Sequence, residues 1–352
     1  PIIEGIKSTY TDIIFVGMGG ASLNPQSLIK LFGARNNNIK AHFIDNTDPL
    51  YLESVLQETS VDKTAIIVAS NSGNTIETIS ITNALVQYCK DHGVSKLGEK
   101  FFFITNPKSG TLLNIAKKLS ATIIPHAAGI SGRFSGLTNI TTFIAMILGL
   151  DVEKYLAGAE SVLDDFVTNE KSDSIIYAST IFALQKPSMI NLGYIQQFSG
   201  FLEWYCQIIA ESLGKNGNGI TPIKGLGPND QHSMLQLYID GPKDKFYNFF
   251  YVKSLEKNFI INQEHKDTTL NKTYLTDIND ITFKATRSAL EEIKRPIRSV
   301  ILNDLSEYSI GQLTSLSMLE VIILGKMMKI DPFNQPGVEL IKNQIKQQLI
   351  AI

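Results

Sequence analysis

With 352 residues, the chain is long enough for two domains or one large one, because single hydrophobic cores stop growing at about 250–300 residues. Hydrophobic residues at 43% and charged residues at 19% exclude a disordered chain; a formal net charge of −2 excludes a broad nucleic-acid surface but leaves room for a small anion in a local basic pocket. Two cysteines, Cys89 and Cys206, and five scattered histidines exclude a disulfide scaffold and a structural zinc site, and point to a reducing compartment, the cytoplasm.

The opening PIIEGIKSTYTD has no basic stretch followed by an apolar one, so it does not read as a signal peptide. It lacks Met and runs almost directly into a strand-like segment, from which we expect a native N-terminal segment to be missing. No apolar run reaches the ~18 residues of a membrane span. Strands are predicted over 12–17, 41–45, 65–69, 101–105 and 121–125, and helices over 25–32, 48–57, 74–89 and 111–119. Several of these strands are apolar without alternation, as parallel strands buried on both faces must be. Turn residues (GMGG, NTDP, SNSGN, NPKSG) mark the junctions, so the first half reads as a doubly wound α/β domain.

Helices are then predicted over 134–150 and 152–168, with Asp151 as the cap between them. Strand signals resume at 188–192, 246–252 and 300–302, with helices over 198–213, 230–239 and 282–294. Beyond Asn303 the chain reads as helical, over 310–329 and 338–349, with a break at Asp331-Pro332. The expected layout is a first α/β domain over 1–150, a second over 151–305 and a helical arm over 306–352.

Six short stretches carry chemistry. Ser70-Asn71-Ser72-Gly73-Asn74-Thr75 follows an apolar strand and opens a helix, where free N–H groups, the helix dipole and three hydroxyls suit a phosphate; a plain Ser/Thr cap is the competing explanation. Gly17-Met18-Gly19-Gly20-Ala21-Ser22 lets a ligand approach the backbone but fails the dinucleotide fingerprint, and it could be a tight turn alone. Gly132-Arg133-Phe134-Ser135 puts an arginine at a loop-to-helix junction, facing either an anion or a neighbouring carboxylate. Glu211 ends the apolar helix WYCQIIA with Gln207 one turn earlier, a placement for a base or for a solvated last-turn acid. His232, in Asp230-Gln231-His232-Ser233, reads as accessible, a surface residue or a proton carrier. Gln335, Glu339 and Lys342 share one face if the terminal helix starts early, although an inconsequential Glu339–Lys342 ion pair explains the same spacing. No motif surrounds His42, His92, His126 or His265, and Cys206 reads as a small hydrophobe.

Taken in order, Gly-Met-Gly-Gly, Ser-x-Ser-x-x-Thr, Gly-Arg-Phe-Ser, Gln-x-x-x-Glu-Ser-x-Gly-Lys, Gln-His-Ser and Gln-x-Gly-Val-Glu-x-x-Lys resemble the glucose-6-phosphate isomerase family from Gly17 to Lys342. Phe333-Asn334-Gln335-Pro336-Gly337-Val338-Glu339-Leu340-Ile341-Lys342 is the most specific piece, and Glu211 through Ser233 resembles the shorter bacterial members. The resemblance implies two αβα sugar-isomerase (SIS) domains with a C-terminal helical arm, a homodimer, and neither metal nor organic cofactor. It implies interconversion of glucose 6-phosphate and fructose 6-phosphate through a cis-enediol(ate). Carried over by motif, Glu211 would be the base, Arg133 would stabilise the enediolate, and His232 and Lys342 would assist ring opening, with His232 supplied by the neighbouring subunit. Ser70, Ser72 and Thr75 would hold the phosphate, with Asn71, Gln207 and Gln335 nearby, and Gly20, Ala21 and Gly132 would border the sugar.

Three departures stand out. Asn71 occupies a position where many relatives carry Lys, so the phosphate would rest on hydroxyls, N–H groups and the dipole. Ala21 stands where relatives carry Ser, with Ser22 as a possible substitute, and Leu213 replaces a common Asn beside Glu211. Two alternatives remain open from sequence: a dual phosphoglucose/phosphomannose isomerase, and a SIS-type sensor that binds without turnover. The set Arg133, Glu211, His232 and Lys342 disfavours the sensor, which has no need of a base.

Overall fold

The computed structural model describes residues 1–33, 39–127, 129–256, 258–261 and 272–350; His265 lies outside the described residues. The chain forms two compact units, Pro1–Ala157 and Gly158–Ile352.

In the first unit, β1 (Asp12–Gly17), β2 (Lys40–Ile44), β3 (Thr64–Ser70), β4 (Phe101–Thr105) and β5 (Thr122–Pro125) form one sheet in the order β2-β1-β3-β4-β5. Every neighbouring pair is parallel. Its helices are α1 (Ile2–Thr9), α2 (Gly20–Phe32), α3 (Pro49–Glu58), α4 (Ile76–Asp91), α5 (Leu97–Lys100), α6 (Thr111–Lys118) and α7 (Asn139–Ile147); α8 (Val152–Thr168) leads into the second unit. Alternate residues of each strand feed two separate cores. Ile13, Phe15 and Ile67 meet Ile29 of α2 and Phe143 and Ile147 of α7 on one face, while Ile14, Val16 and Val68 meet Ile81 and Leu85 of α4 and Leu112 of α6 on the other. All seven residues of β3 are buried, which is why the strand shows no alternation in sequence.

The second unit repeats this design. β6 (Ser188–Gly193), β7 (Thr221–Leu226), β8 (Lys245–Val252) and β11 (Ile297–Leu302) pair in parallel in the order β11-β8-β6-β7, and β9 (Ile260–Ile261) and β10 (Thr273–Tyr274) make a short antiparallel pair. Numbered by appearance within each sheet, the strands of the second sheet run second, first, third, fourth, and the first sheet begins the same way before its fifth strand. The helices are α9 (Asp173–Leu184), α10 (Phe198–Leu213), α11 (Gly227–Gln231), α12 (Leu235–Asp240), α13 (Leu275–Glu292), α14 (Glu307–Met327) and α15 (Val338–Ile350). The long apolar α14 has most of its residues buried in the unit, packed against α9 and α10, so its composition is that of a core helix.

Two predicted helices are broken in the structure. The predicted 134–150 helix is a 3₁₀ turn, Gly132–Leu137, followed by α7; Thr138 between them is extended (φ −107°, ψ 174°) and its hydroxyl donates to the Ser135 carbonyl at 2.9 Å. The predicted 230–239 helix splits into α11 and α12 around a turn at 232–234, because Asp230 turns its carboxylate back to accept from Leu226 N at 2.6 Å and Ser233 Oγ at 3.0 Å. Three further elements of six or more residues were not predicted. α1 and α9 lie in segments left unassigned, and β7 contains Pro222, which suits a sheet edge, where β7 lies, and Gly225, which weakens the strand signal.

Gly158 of α8 lies so close to α14 that a Cβ there would sit 2.0 Å from the Tyr308 carbonyl oxygen. Gly158→Ala gains up to about 1 kcal/mol of helix propensity. The clash outweighs it, because overpacking costs about 1–3 kcal/mol. Calorimetry should therefore show the Ala variant melting below the wild type.

Candidate active site

The strand order of the first unit reverses between β1 and β3, so the loops leaving these two strands flank a crevice at the C-terminal edge of the sheet. The two motif-bearing loops, 17–20 and 70–75, are those loops.

Loop 70–75 is an ordered nest. Ser70 Oγ lies 3.2 Å from Thr75 Oγ1 and accepts from Gly73 N, and Ser72 Oγ accepts from Asn74 N at 3.2 Å. The Thr105 hydroxyl of β4 donates to the Ser70 carbonyl at 2.8 Å, and Asn74 Oδ1 accepts from the Thr111 backbone and hydroxyl at the start of α6. Gly73 is required by its left-handed backbone (φ +65°) and by crowding, since a Cβ would sit 2.9 Å from Thr105 Oγ1. No side chain caps α4, so its first-turn N–H groups face the loop without an internal acceptor from Thr75. Asn71 donates its amide to the Ile130 carbonyl and so ties this loop to the one that leads into Gly132-Arg133.

The second junction joins α2 to the 3₁₀ turn. Gly20 and Gly132 touch so closely that a Cβ on Gly20 would sit 2.2 Å from Gly132 C and 2.3 Å from Arg133 N. Asn24 Nδ2 bridges the junction, donating to the Gly20 carbonyl at 2.6 Å and the Gly132 carbonyl at 2.9 Å, and Ser135 Oγ donates to the Gly132 carbonyl. Arg133 is thereby fixed, 1% exposed, with its guanidinium over the Phe134 ring at 5.5 Å. Asn24 was missed from sequence, and Ser135 was read only as part of its motif; the available signal was an amide one helical turn after Gly20. Ser22 does not take the place of the hydroxyl lost at Ala21: it is buried and donates to Asp45 Oδ2, which also receives Gln26 Nε2 at 2.7 Å. Asp45 is thus used within the fold.

In the second unit, α10 carries the acid. Gln207 Nε2 donates to Glu211 Oε2 at 2.9 Å, across one helical turn, and both side chains are half-buried. Gln207 Oε1 is buried and has no partner among the described residues. Beyond α10 the loop tightens through Asn216 (φ +53°), Gly217 and Gly219, and Lys215 Nζ donates to the Asp331 carbonyl. That bond moors the 331–337 segment, which bears the half-buried Gln335, beside the end of the helix with Glu211.

His232 stands exposed in the turn between α11 and α12. Both its predecessors are anchored: Asp230 to β7, and Gln231 by its amide to Tyr194 Oη and Thr282 O, each at 3.2 Å. Lys342 lies on the exposed α15 and pairs with Glu339 at 2.7 Å; that hydrogen bond holds the Glu339 carboxyl below the usual carboxylate range. Gln335 precedes the helix, and its carbonyl accepts from Val338 N. Burial pushes the Cys206 thiol up to about 11, which keeps it protonated at neutral pH.

Residues 5–351 match the family described as phosphoglucose isomerase. The chain is 32% identical over 339 residues to the glucose-6-phosphate isomerase of Methanocaldococcus jannaschii, covering 94% of this chain and 82% of that protein. A solved structure of a hypothetical protein from Thermus thermophilus superposes with a TM-score of 0.93 at 25% identity, covering 99% and 86% of the two chains. A glucose-6-phosphate isomerase structure from Chlamydia trachomatis shares the fold, with a TM-score of 0.86 at 20% identity over 99% of this chain and 71% of that one.

Gly20→Ala tests the junction that fixes Arg133. The added carbon must part Gly20 from Gly132, and a shift of about 1 Å in a charged group costs on the order of 100-fold in rate. Steady-state kinetics should show kcat/KM falling about that far while circular dichroism keeps the helical signal.

Proposed function

The chain belongs to the phosphoglucose isomerase family, and we propose that Glu211 is the base with which it interconverts glucose 6-phosphate and fructose 6-phosphate. The observation that carries this role is the Gln207–Glu211 pair: one carboxylate at the end of an apolar helix, held from one side and moored beside the C-terminal motif. Glu211 takes the C2 proton of the open-chain aldose, leaving a cis-enediol(ate), and returns it to C1 to make the ketose, while a hydroxyl proton passes from O2 to O1. One carboxylate serves both carbons because both present the proton on the same face of the intermediate. Arg133 stabilises the enediolate oxygen as a preorganised cation, an effect typically worth about 3–4 kcal/mol.

Ser70, Ser72, Thr75 and the uncapped start of α4 hold the phosphate, and Asn71 acts by bracing the loop against Ile130. Gly20, Ala21 and Gly132 border the sugar, and Gln207 Oε1 and Gln335 offer amides to its hydroxyls. Lys342 assists ring opening, which requires its pair with Glu339 to open. His232 assists ring opening in a second copy of the chain: its exposure between anchored neighbours supports a homodimer with shared sites. The paired roles call for no cofactor, and the two unbridged thiols support a cytoplasmic setting.

Glu211→Gln keeps the size of the side chain and removes the base. In a coupled assay from fructose 6-phosphate to NADPH its kcat should fall by about 100- to 10,000-fold with substrate binding retained; retained turnover would remove Glu211 from the role. Shared sites predict complementation as well. Glu211→Gln and His232→Ala are each inactive, but random pairing after co-expression leaves one intact site in each mixed dimer, so about a quarter of wild-type activity should return. If no activity returns, His232 serves its own chain.

A further inference from the structure

One polar residue on each strand of the second sheet falls at the same level. The register sets Lys224 of β7 beside Asn191 of β6, Asn191 beside Asn248 of β8, and Asn248 beside Arg298 of β11. Residues paired across a parallel ladder share a face. Above and below the row on that face are Met189, Phe246 and Phe250, all buried, so the polar line crosses an apolar floor. Asn191 and Asn248 are 0% exposed, and Asn248 Nδ2 donates to Asn191 Oδ1 at 2.9 Å. Burial of amides in a sheet centre is costly next to an apolar pair of the same shape, so stability alone does not account for them.

Helix α10 lies over this face, with Phe201 and Tyr205 packed edge-on to Phe250 at 5.2 and 5.6 Å. It meets the row at three places. Glu203 pairs with Lys224; Cys206 Sγ accepts from Asn191 Nδ2 at 3.9 Å; Tyr205 Oη accepts from Arg298 Nη2 at 3.0 Å and donates to Glu320 of α14, which also pairs with Arg298. Apolar packing alone tolerates sliding and repacking, whereas hydrogen bonds are lost within a fraction of an ångström or some tens of degrees. A slip of one residue along the axis moves α10 by about 1.5 Å and breaks the Tyr205 and Cys206 contacts together. Glu211 stands on the same rigid helix, five residues beyond Cys206.

We infer that this row is a positioning device for the base: Lys224, Asn191, Asn248 and Arg298 hold α10 at one register on the sheet and so set where Glu211 stands. The inference rests on the reading of Glu211 as the base. None of the four strand residues is a catalytic residue; each acts through the helix.

The test uses the full chain with two variants, Asn191→Leu/Asn248→Leu, which removes both amides together and strands neither, and Tyr205→Phe, which deletes a single oxygen. Each is assayed for kcat and KM on fructose 6-phosphate. Each is also run in D₂O, where NMR gives the fraction of glucose 6-phosphate that carries deuterium at C2. That fraction compares return of the proton by the base with its loss to solvent, and it does not depend on how much of the sample is folded. A displaced base should lower kcat about 10- to 100-fold, leave KM within about threefold, and raise the deuterium fraction above that of the wild type. Unchanged kcat, a change confined to KM, or a fall in kcat with the wild-type deuterium fraction each overturns the inference and leaves the row a structural feature. If the double variant does not fold, Tyr205→Phe decides by the same criteria. Glu211→Gln run alongside separates the two readings: if it keeps turnover, the base assignment has failed, whatever the row does.

Discussion

Between β1 and β3 the first sheet turns back on itself, and the connections that leave these strands cross to opposite faces: α2 contributes Ala21 and Ile29 to one core, α4 contributes Ile81 and Leu85 to the other. The gap left above the strand ends is where backbone N–H groups and hydroxyls can meet a ligand without entering an apolar layer. Everything polar in the first-unit site hangs on that gap. Because both faces of β3 are buried, its chemistry must wait until the chain leaves the strand at Ser70. The same crowding puts glycine at 20 and 73, one for close backbone approach and one for a left-handed turn as well.

The second unit repeats the strand order but solves a different problem. Its acid is carried on a helix, so placement depends on how the helix is seated on the sheet, as well as on how a loop turns. Arg298, Glu320 and Tyr205 form a buried charged cluster between β11, α14 and α10. Buried ion pairs of this kind rarely add net stability over apolar packing, but they are exacting about geometry. The C-terminal segment is treated in the same manner, drawn to the end of α10 by Lys215.

Much of this was legible in the sequence, for reasons that differ between elements. β1 and β4 match residue for residue because their apolar runs end abruptly at glycine or at a polar turn, and α8 and α10 match because periodicity and flanking turns agree. The loops that bear the motifs were found because serines, glycines and an arginine cluster at strand ends. What could not be read depends on side-chain bonds that periodicity does not reveal, some local and some tertiary. The break at Thr138 depends on a local hydroxyl bond, and the split at 232–234 on Asp230 reaching back to β7. Asn24 is silent until Gly132 lies beside Gly20, and four polar residues spread from 191 to 298 form a row only once the register is assembled.

β7 shows how one feature can serve two ends. It is the outer strand of its sheet, and an open edge invites pairing with another chain. Pro222 has no N–H to offer such a partner, Gly225 weakens extended pairing, and Lys224 brings a charge that a growing stack of strands would have to accept. The residues that disguised the strand in sequence therefore also guard it. They make this edge poor seed material for fibrils, so the β7 rim of the second unit can stay partly exposed.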